Sequence, residues 1–245
     1  MQTKFFIGTS GWNYFWNPDG LEWYLKNSKL NSIELNASFY RFPFPSMVTS
    51  WAKKTKEINK EVRWSIKVNR LITHVFKFDE RAFQTWKKFE KLFAPLKDYI
   101  DFYLFQIPPN LTSKSLQKIE GFIKKTKLKE KFALEVRNLD LFNEASIEWA
   151  SRIGITFVSV DAPYFTNFPR DIFCTSENVY LRMHGRSEWY SYDYSTKELK
   201  EILEKIENKN KNKKIKKAYI FFNNNHGMLK NAQELKSLVE EWKGS

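Results

Sequence analysis

The chain has 245 residues, 42% of them hydrophobic and 17% aromatic, and a formal net charge of +13. That apolar content excludes a disordered chain, and the length fits one large domain over residues 1–245 better than two. No run approaches the ~20 apolar residues of a membrane span. Met1–Phe5 enters a strand-like run without the pattern of a signal peptide, and the single Cys174 forbids an internal disulfide. A cytoplasmic protein with no membrane partner is expected.

In chain order, eight short runs rich in β-branched and aromatic residues recur, roughly at Lys4–Gly8, Ser32–Asn36, Arg63–Asn69, Asp101–Ile107, Phe132–Arg137, Thr156–Asp161, Val179–His184 and Ala218–Asn223. Between and after them, helical patterns read as Leu21–Lys29, Ser46–Ile58, Arg81–Leu96, Ser113–Lys125, Asn143–Ile153, Ser195–Ile206 and Lys230–Trp242. Ser46, Ser113, Asn143 and Ser195 stand where N-caps belong. The stretch Ala162–Ser176 is irregular, so the helix after the sixth strand is short or missing. Alternating strands and helices imply a parallel sheet with right-handed crossovers. Eight such units fit an α/β fold of the (β/α)₈ barrel type. No G-x-G-x-x-G follows the first strand, which removes the usual dinucleotide fingerprint.

The strand ends are polar. In order they present Ser10, Glu34 and Asn36, Lys67 and Asn69, Gln106, Glu135 and Arg137, Asp161, Arg182 and His184, then Asn223 and Asn224. Pairs two residues apart point to the same side of a strand. In such barrels the C-terminal ends of the strands carry the active site. A convergence of Glu34, Lys67, Gln106, Glu135, Asp161 and His184 on one cavity follows, against the plainer alternative of polar residues facing solvent.

Several segments are similar to the YecE-like family, the domain of unknown function 72. They are Gly8-Thr9-Ser10-Gly11-Trp12, Ile33 through Tyr40, Lys67 with Thr73-His74, Phe105-Gln106-Ile107-Pro108-Pro109 and Glu135-Val136-Arg137. Asp161-Ala162-Pro163, Tyr180 through Arg186, and Phe222-Asn223-Asn224 with Asn231-Ala232 complete the match in order along the chain. The resemblance implies a TIM-type barrel and no established activity. The chain departs from the family pattern after Arg137 and after Asn224, which moves weight away from Asp140 and His226 as site residues.

Candidate chemistry follows from residue types. Glu34, Glu135, Asp161 and His184 are the ligand types that a divalent metal takes. Lys67, Arg137 and Arg182 balance those carboxylates, so a catalytic metal is not favoured and the cofactor is left open. For acid–base work, Glu34, Glu135 and Asp161 are the carboxylates and His184 or His74 the proton carriers. Lys67 reads either as a Schiff-base nucleophile or, by preference, as a lysine satisfied by a glutamate. Cys174 reads as a packed or loop thiol.

Trp12, Tyr14, Phe39, Tyr40, Tyr164, Trp189, Tyr190 and Tyr192 fall in strand-to-helix loops and suit stacking on sugars or bases. Trp51, Trp86, Trp149 and Trp242, on helices, read as packing residues. Three lysine-rich runs, Lys53–Lys56, Lys124–Lys129 and Lys209–Lys214, precede strands and belong beneath the barrel. Arg41, Arg70, Arg137, Arg170, Arg182 and Arg186 instead occupy strand ends or mouth loops, and their planar forks suit phosphate or carboxylate. The expected function is hydrolysis or proton transfer on an anionic substrate, a phosphate-bearing sugar or nucleic-acid component. Arg137 and Arg182 are its expected anion grip. The alternatives are a non-catalytic nucleic-acid binder and a small-molecule sensor barrel. The sequence leaves the oligomeric state open.

Overall fold

The computed structural model describes residues 2–163, 170–188 and 191–244. Eight parallel staves form the barrel: β1 (Lys4–Thr9), β2 (Ser32–Leu35), β3 (Arg63–Lys67), β4 (Ile100–Gln106), β5 (Phe132–Glu135), β6 (Thr156–Phe157 and Ser159–Asp161, interrupted at Val158), β7 (Asn178–Met183) and β8 (Lys217–Phe222). β1 pairs with both β2 and β8. β6 closes the ring, pairing with β5 through its first half and with β7 through its second. Gly8 lets β1 and β2 approach closely, since a Cβ there would lie 2.1 Å from the Ser32 carbonyl oxygen.

Seven α-helices surround the barrel among the described residues: α1 (Gly20–Asn27), α2 (Pro45–Ile58), α3 (Glu80–Leu92), α4 (Leu116–Thr126), α5 (Glu144–Ile153), α6 (Thr196–Asn212) and α7 (Met228–Gly244). No helix is found between β6 and β7 among those residues, as the irregular Ala162–Ser176 stretch implies. Asn143 caps α5 by accepting from the Ser146 amide at 2.8 Å, and Ser195 with Glu198 forms a capping box on α6. Two expected caps fall elsewhere. Pro45 starts α2 one residue before Ser46, because its fixed φ suits the first helical turn, and Ser113 opens a short 3₁₀ turn ahead of α4. α3 stops at Leu92, and a 3₁₀ segment, Ala94–Tyr99, takes over where Pro95 cannot continue the α-helix.

Alternation along the staves sorts the core into two layers. The lumen holds Phe6, Phe102, Leu104, Ala133, Val158, Val160, Tyr180, Tyr219 and Phe221. The layer between staves and helices includes Trp64, Trp86, Phe89, Phe105 and Phe132. Trp51, Trp86 and Trp149 are buried there, whereas Trp242, expected to pack, is 44% exposed near the end of α7. At the floor of the lumen Arg63 donates to Asp101 through Nη2 at 2.6 Å and Nε at 3.0 Å, and Tyr219 donates to the same carboxylate. The lysine-rich runs end α2, α4 and α6, on the floor side of the barrel.

Candidate active site

β2, β3, β5 and β7 carry the centre of the mouth. Their registers pair Glu34 with Ser65 and place Arg63, Ser65 and Lys67 on the lumen face of β3. Gln106 pairs with Glu135, and Val160 with Arg182. Glu34, Glu135 and Arg182 are fully buried, so each charge demands a partner.

Arg182 supplies most of them. Its Nη2 donates to Glu34 Oε1 at 2.7 Å and its Nε to Glu34 Oε2 at 3.0 Å, while Nη1 donates to Glu135 Oε2 at 2.7 Å. Nη2 also reaches Asn36 Oδ1 at 3.3 Å. Ser10 donates to Glu34 Oε1 at 2.6 Å, and Tyr180 donates to Oε2 at 2.5 Å. Arg137 pairs with the other oxygen of Glu135. Burial alone would raise the Glu135 carboxyl, but Arg137 and Arg182 outweigh it and hold the group well below the usual carboxylate range. Burial likewise opposes charge on Arg182, and Glu135 with Glu34 overcomes it, so the guanidinium stays charged. Arg182 therefore organises the site, with its donors engaged by Glu34, Glu135 and Asn36. Its side chain is 1% exposed and its fork is occupied, which corrects the expectation of a free arginine pair.

Lys67 differs. Among the described residues its ammonium makes no ion pair and no hydrogen bond, so the expected Lys–Glu pair is absent: both glutamates are already engaged by arginines. Its ammonium lies 4.4 Å from the centroid of the Phe39 ring. Burial and the nearby Arg182, opposed by Glu135 and Glu34, push its pKa down to about 7. Two carboxylates face two guanidiniums, and Lys67 is the group left over.

His74 lies in a wide turn, Leu71–Val75, closed by the Phe76 amide on the Leu71 carbonyl at 2.8 Å. Such π-type turns recur at functional sites. Its ring is 5.1 Å from that of Phe39, and Nδ1 meets Thr73 Oγ1 at 2.8 Å. Burial, then Lys67 and Arg70, lower its pKa to about 4. His184 Nδ1 lies 3.2 Å from Asn223 Nδ2, and burial with Arg182 and Arg137 drives this ring well below its usual value. Both histidines are neutral at pH 7. Gln106 is half-buried beside Glu135, and Cys174 is a half-buried thiol pushed up to about 11 by burial.

Asp161 and Arg186 do not join this centre. Val160 shares the lumen face with Arg182, so Asp161 points outward beside Met183. There Arg186 Nε donates to Asp161 at 3.1 Å, and Arg186 Nη1 reaches Glu198 and Glu201 on α6. The expected convergence thus loses Asp161. Asn224 is also structural: its Nδ2 donates to the Tyr192 carbonyl and to Asn231, both at 2.7 Å. Asn69 donates to the Ser38 carbonyl at 2.9 Å. Trp12 packs edge-on against Trp51 and Trp64, Tyr14 stacks on Trp16, and both are half-buried, lining a cavity with Ser10 and Asn36. Tyr40 is 73% exposed, next to exposed Arg41; Phe44, Leu71 and Val75 on the same loops are exposed too. Tyr164, Trp189 and Tyr190 lie outside the described residues. Tyr180 is the residue that sequence reasoning missed, although its spacing of two from Arg182 marks it as lumen-facing.

No group of three or more His, Cys, Asp or Glu side chains suited to a metal ion is found among the described residues. No helix among them is long and apolar enough to cross a membrane. The chain is similar over its length to crystal structures of DUF72 family proteins. One, from Thermotoga maritima MSB8, shares 25% identity over 97% of this chain and 99% of that one, with a TM-score of 0.83. Another, from Enterococcus faecalis V583, shares 21% over 98% of both chains, with a TM-score of 0.78. No curated protein matches. The family model for the protein of unknown function DUF72 matches residues 6–244, and the chain belongs to that family.

Proposed function

We propose that this barrel is an enzyme that transfers protons on a small anionic substrate, a phosphate-bearing sugar or nucleic-acid component, with Lys67 as the working group. The observation that carries the reading is the Lys67 amine, unpaired beside a charge-balanced network and titrating near neutrality. A base poised there is present in both its forms near neutral pH, the condition in which it both takes and returns a proton. Anion preference is supported by sequence charge at the mouth: Asn36–Lys56 and Lys67–Phe78 contain no Asp or Glu, and Arg41 and Arg70 are exposed in them. Glu135, His74 and Gln106 line the same mouth as supporting groups, and no cofactor is assigned.

Turnover of a panel of sugar phosphates and nucleotides tests this. We expect conversion of at least one member, with kcat rising through pH 7, and a loss of at least 100-fold in Lys67→Met. Undiminished turnover in that variant would remove Lys67 from the chemistry. A second reading, non-catalytic binding of single-stranded nucleic acid, draws on exposed Tyr40 and Phe44 beside Arg41 and Arg70. It predicts oligonucleotide binding that falls steeply with salt and no turnover of any panel member.

A further inference from the structure

We infer that Lys67 is an imine-forming nucleophile for aldehydes or ketones that carry an anionic group. The inference rests on the enzyme reading above and names its substrate class. Three features of the mouth point to carbon attack rather than a plain ion-pair role. The amine has no carboxylate or hydrogen-bond partner among the described residues, so no ion pair there locks it as the ammonium. Burial of Lys67 first, and then Arg182 and Arg137 against the opposing pull of Glu135 and Glu34, disfavour a third cation and keep a share of the amine neutral at physiological pH. The Phe39 ring at 4.4 Å borders the amine on one side, and half-buried Asn36, Gln106 and His74 offer neutral polar groups around the opening.

The step balances without an added oxidant or reductant. The neutral Nζ attacks the carbonyl carbon, a C–N bond forms, and a proton passes from nitrogen to oxygen to give a carbinolamine. The C–O bond then breaks as water leaves with a second proton, and the imine remains. Protonation of that imine restores the single positive charge that Lys67 had as an ammonium. The two glutamates are already neutralised by two arginines, so an anionic group on the substrate is what balances this cation.

The test uses pyridoxal 5′-phosphate and dihydroxyacetone phosphate as probes on the full chain, each with and without borohydride, followed by peptide mapping. The reductant delivers hydride to the imine carbon and fixes the adduct. We expect one adduct per chain, on Lys67, saturable in probe, with occupancy increasing several-fold between pH 6 and 8. Lys67→Arg, which keeps the cation but cannot form an imine, should abolish it. Surface lysines are the internal control. Labelling spread over them with Lys67 no more reactive than the rest would overturn the inference, with no variant needed. An absent adduct alongside Lys67-dependent turnover would overturn the imine alone and leave proton transfer standing. An adduct on Lys67 without turnover of any panel member would do the reverse.

Discussion

At the floor of the barrel Arg63 grips Asp101 through Nη2 and Nε while Tyr219 donates to the same carboxylate; at the mouth Arg182 grips Glu34 through the same two atoms, with Tyr180 in the tyrosine's place. The floor stops there. One arginine meets one carboxylate, burial of Asp101 is outweighed by Arg63 and Tyr219, and its acid form is disfavoured. The mouth adds Glu135, Arg137 and one more cation, Lys67, which no carboxylate pairs with directly among the described residues. An arginine–carboxylate–tyrosine cluster is therefore a structural device in this barrel. What sets the mouth apart is the surplus group, at the end where the strand-to-helix loops are.

That comparison breaks most easily at its two arginines. Arg182→Met leaves buried Glu34 without a cation and Glu135 with Arg137 alone, and should cost about 3–5 kcal/mol, or prevent folding outright. Arg63→Met should cost less, about 1–2 kcal/mol, because its side chain is 24% exposed and water can reach Asp101. Urea denaturation of both measures this, and equal losses would mean that the two ends are built alike. Lys67→Met sharpens the contrast with a smaller effect of opposite sign. The native pKa of about 7 lies below the ordinary lysine value of 10.5, so the unfolded chain holds more protons between those values. The wild type consequently gains stability as pH rises through that window, and below pH 7 it bears the full cost of a buried ammonium. The variant should be more stable at pH 6.5, by roughly 1–3 kcal/mol, with the margin closing toward pH 10. Melting temperatures across that range report it; a margin independent of pH would show that Lys67 is not the desolvated group described. Smallest of all, replacing Lys211, Lys213 and Lys214 together by Gln should move stability by less than about 0.5 kcal/mol and leave the Lys67 pH response in place.

The staves and the lumen pairs Glu34/Asn36, Glu135/Arg137 and Arg182/His184 were legible because an inward-facing strand end demands polar residues at spacing two, just past an apolar run. Asp161 was not. In Val158-Ser159-Val160-Asp161 alternation is plain, but a barrel stave is buried on both faces, so hydrophobicity does not say which face is the lumen. The pairing of Val160 with Arg182 settles it, and that is a property of two strands. Arg182 was legible as a mouth residue but not as a saturated one, since no sequence pattern counts how many of its donors are already engaged. The same limit hid the freedom of Lys67: three cations and two glutamates on one rim do not reveal which cation is left without a partner.

The reach of the Arg182–Glu34 contact, across 148 residues, carries a consequence for synthesis. At translation rates of about 5–20 residues per second, Glu34 leaves the ribosome roughly 7–30 seconds before its partner does. By its end six staves have been made, and they hold a carboxylate where a finished barrel tolerates only a neutralised one. A half-barrel cannot close its top layer early. The nascent chain must keep this end hydrated until β7 arrives, and the contact that completes the mouth comes within reach before β8, the stave that joins β7 to β1, has been made.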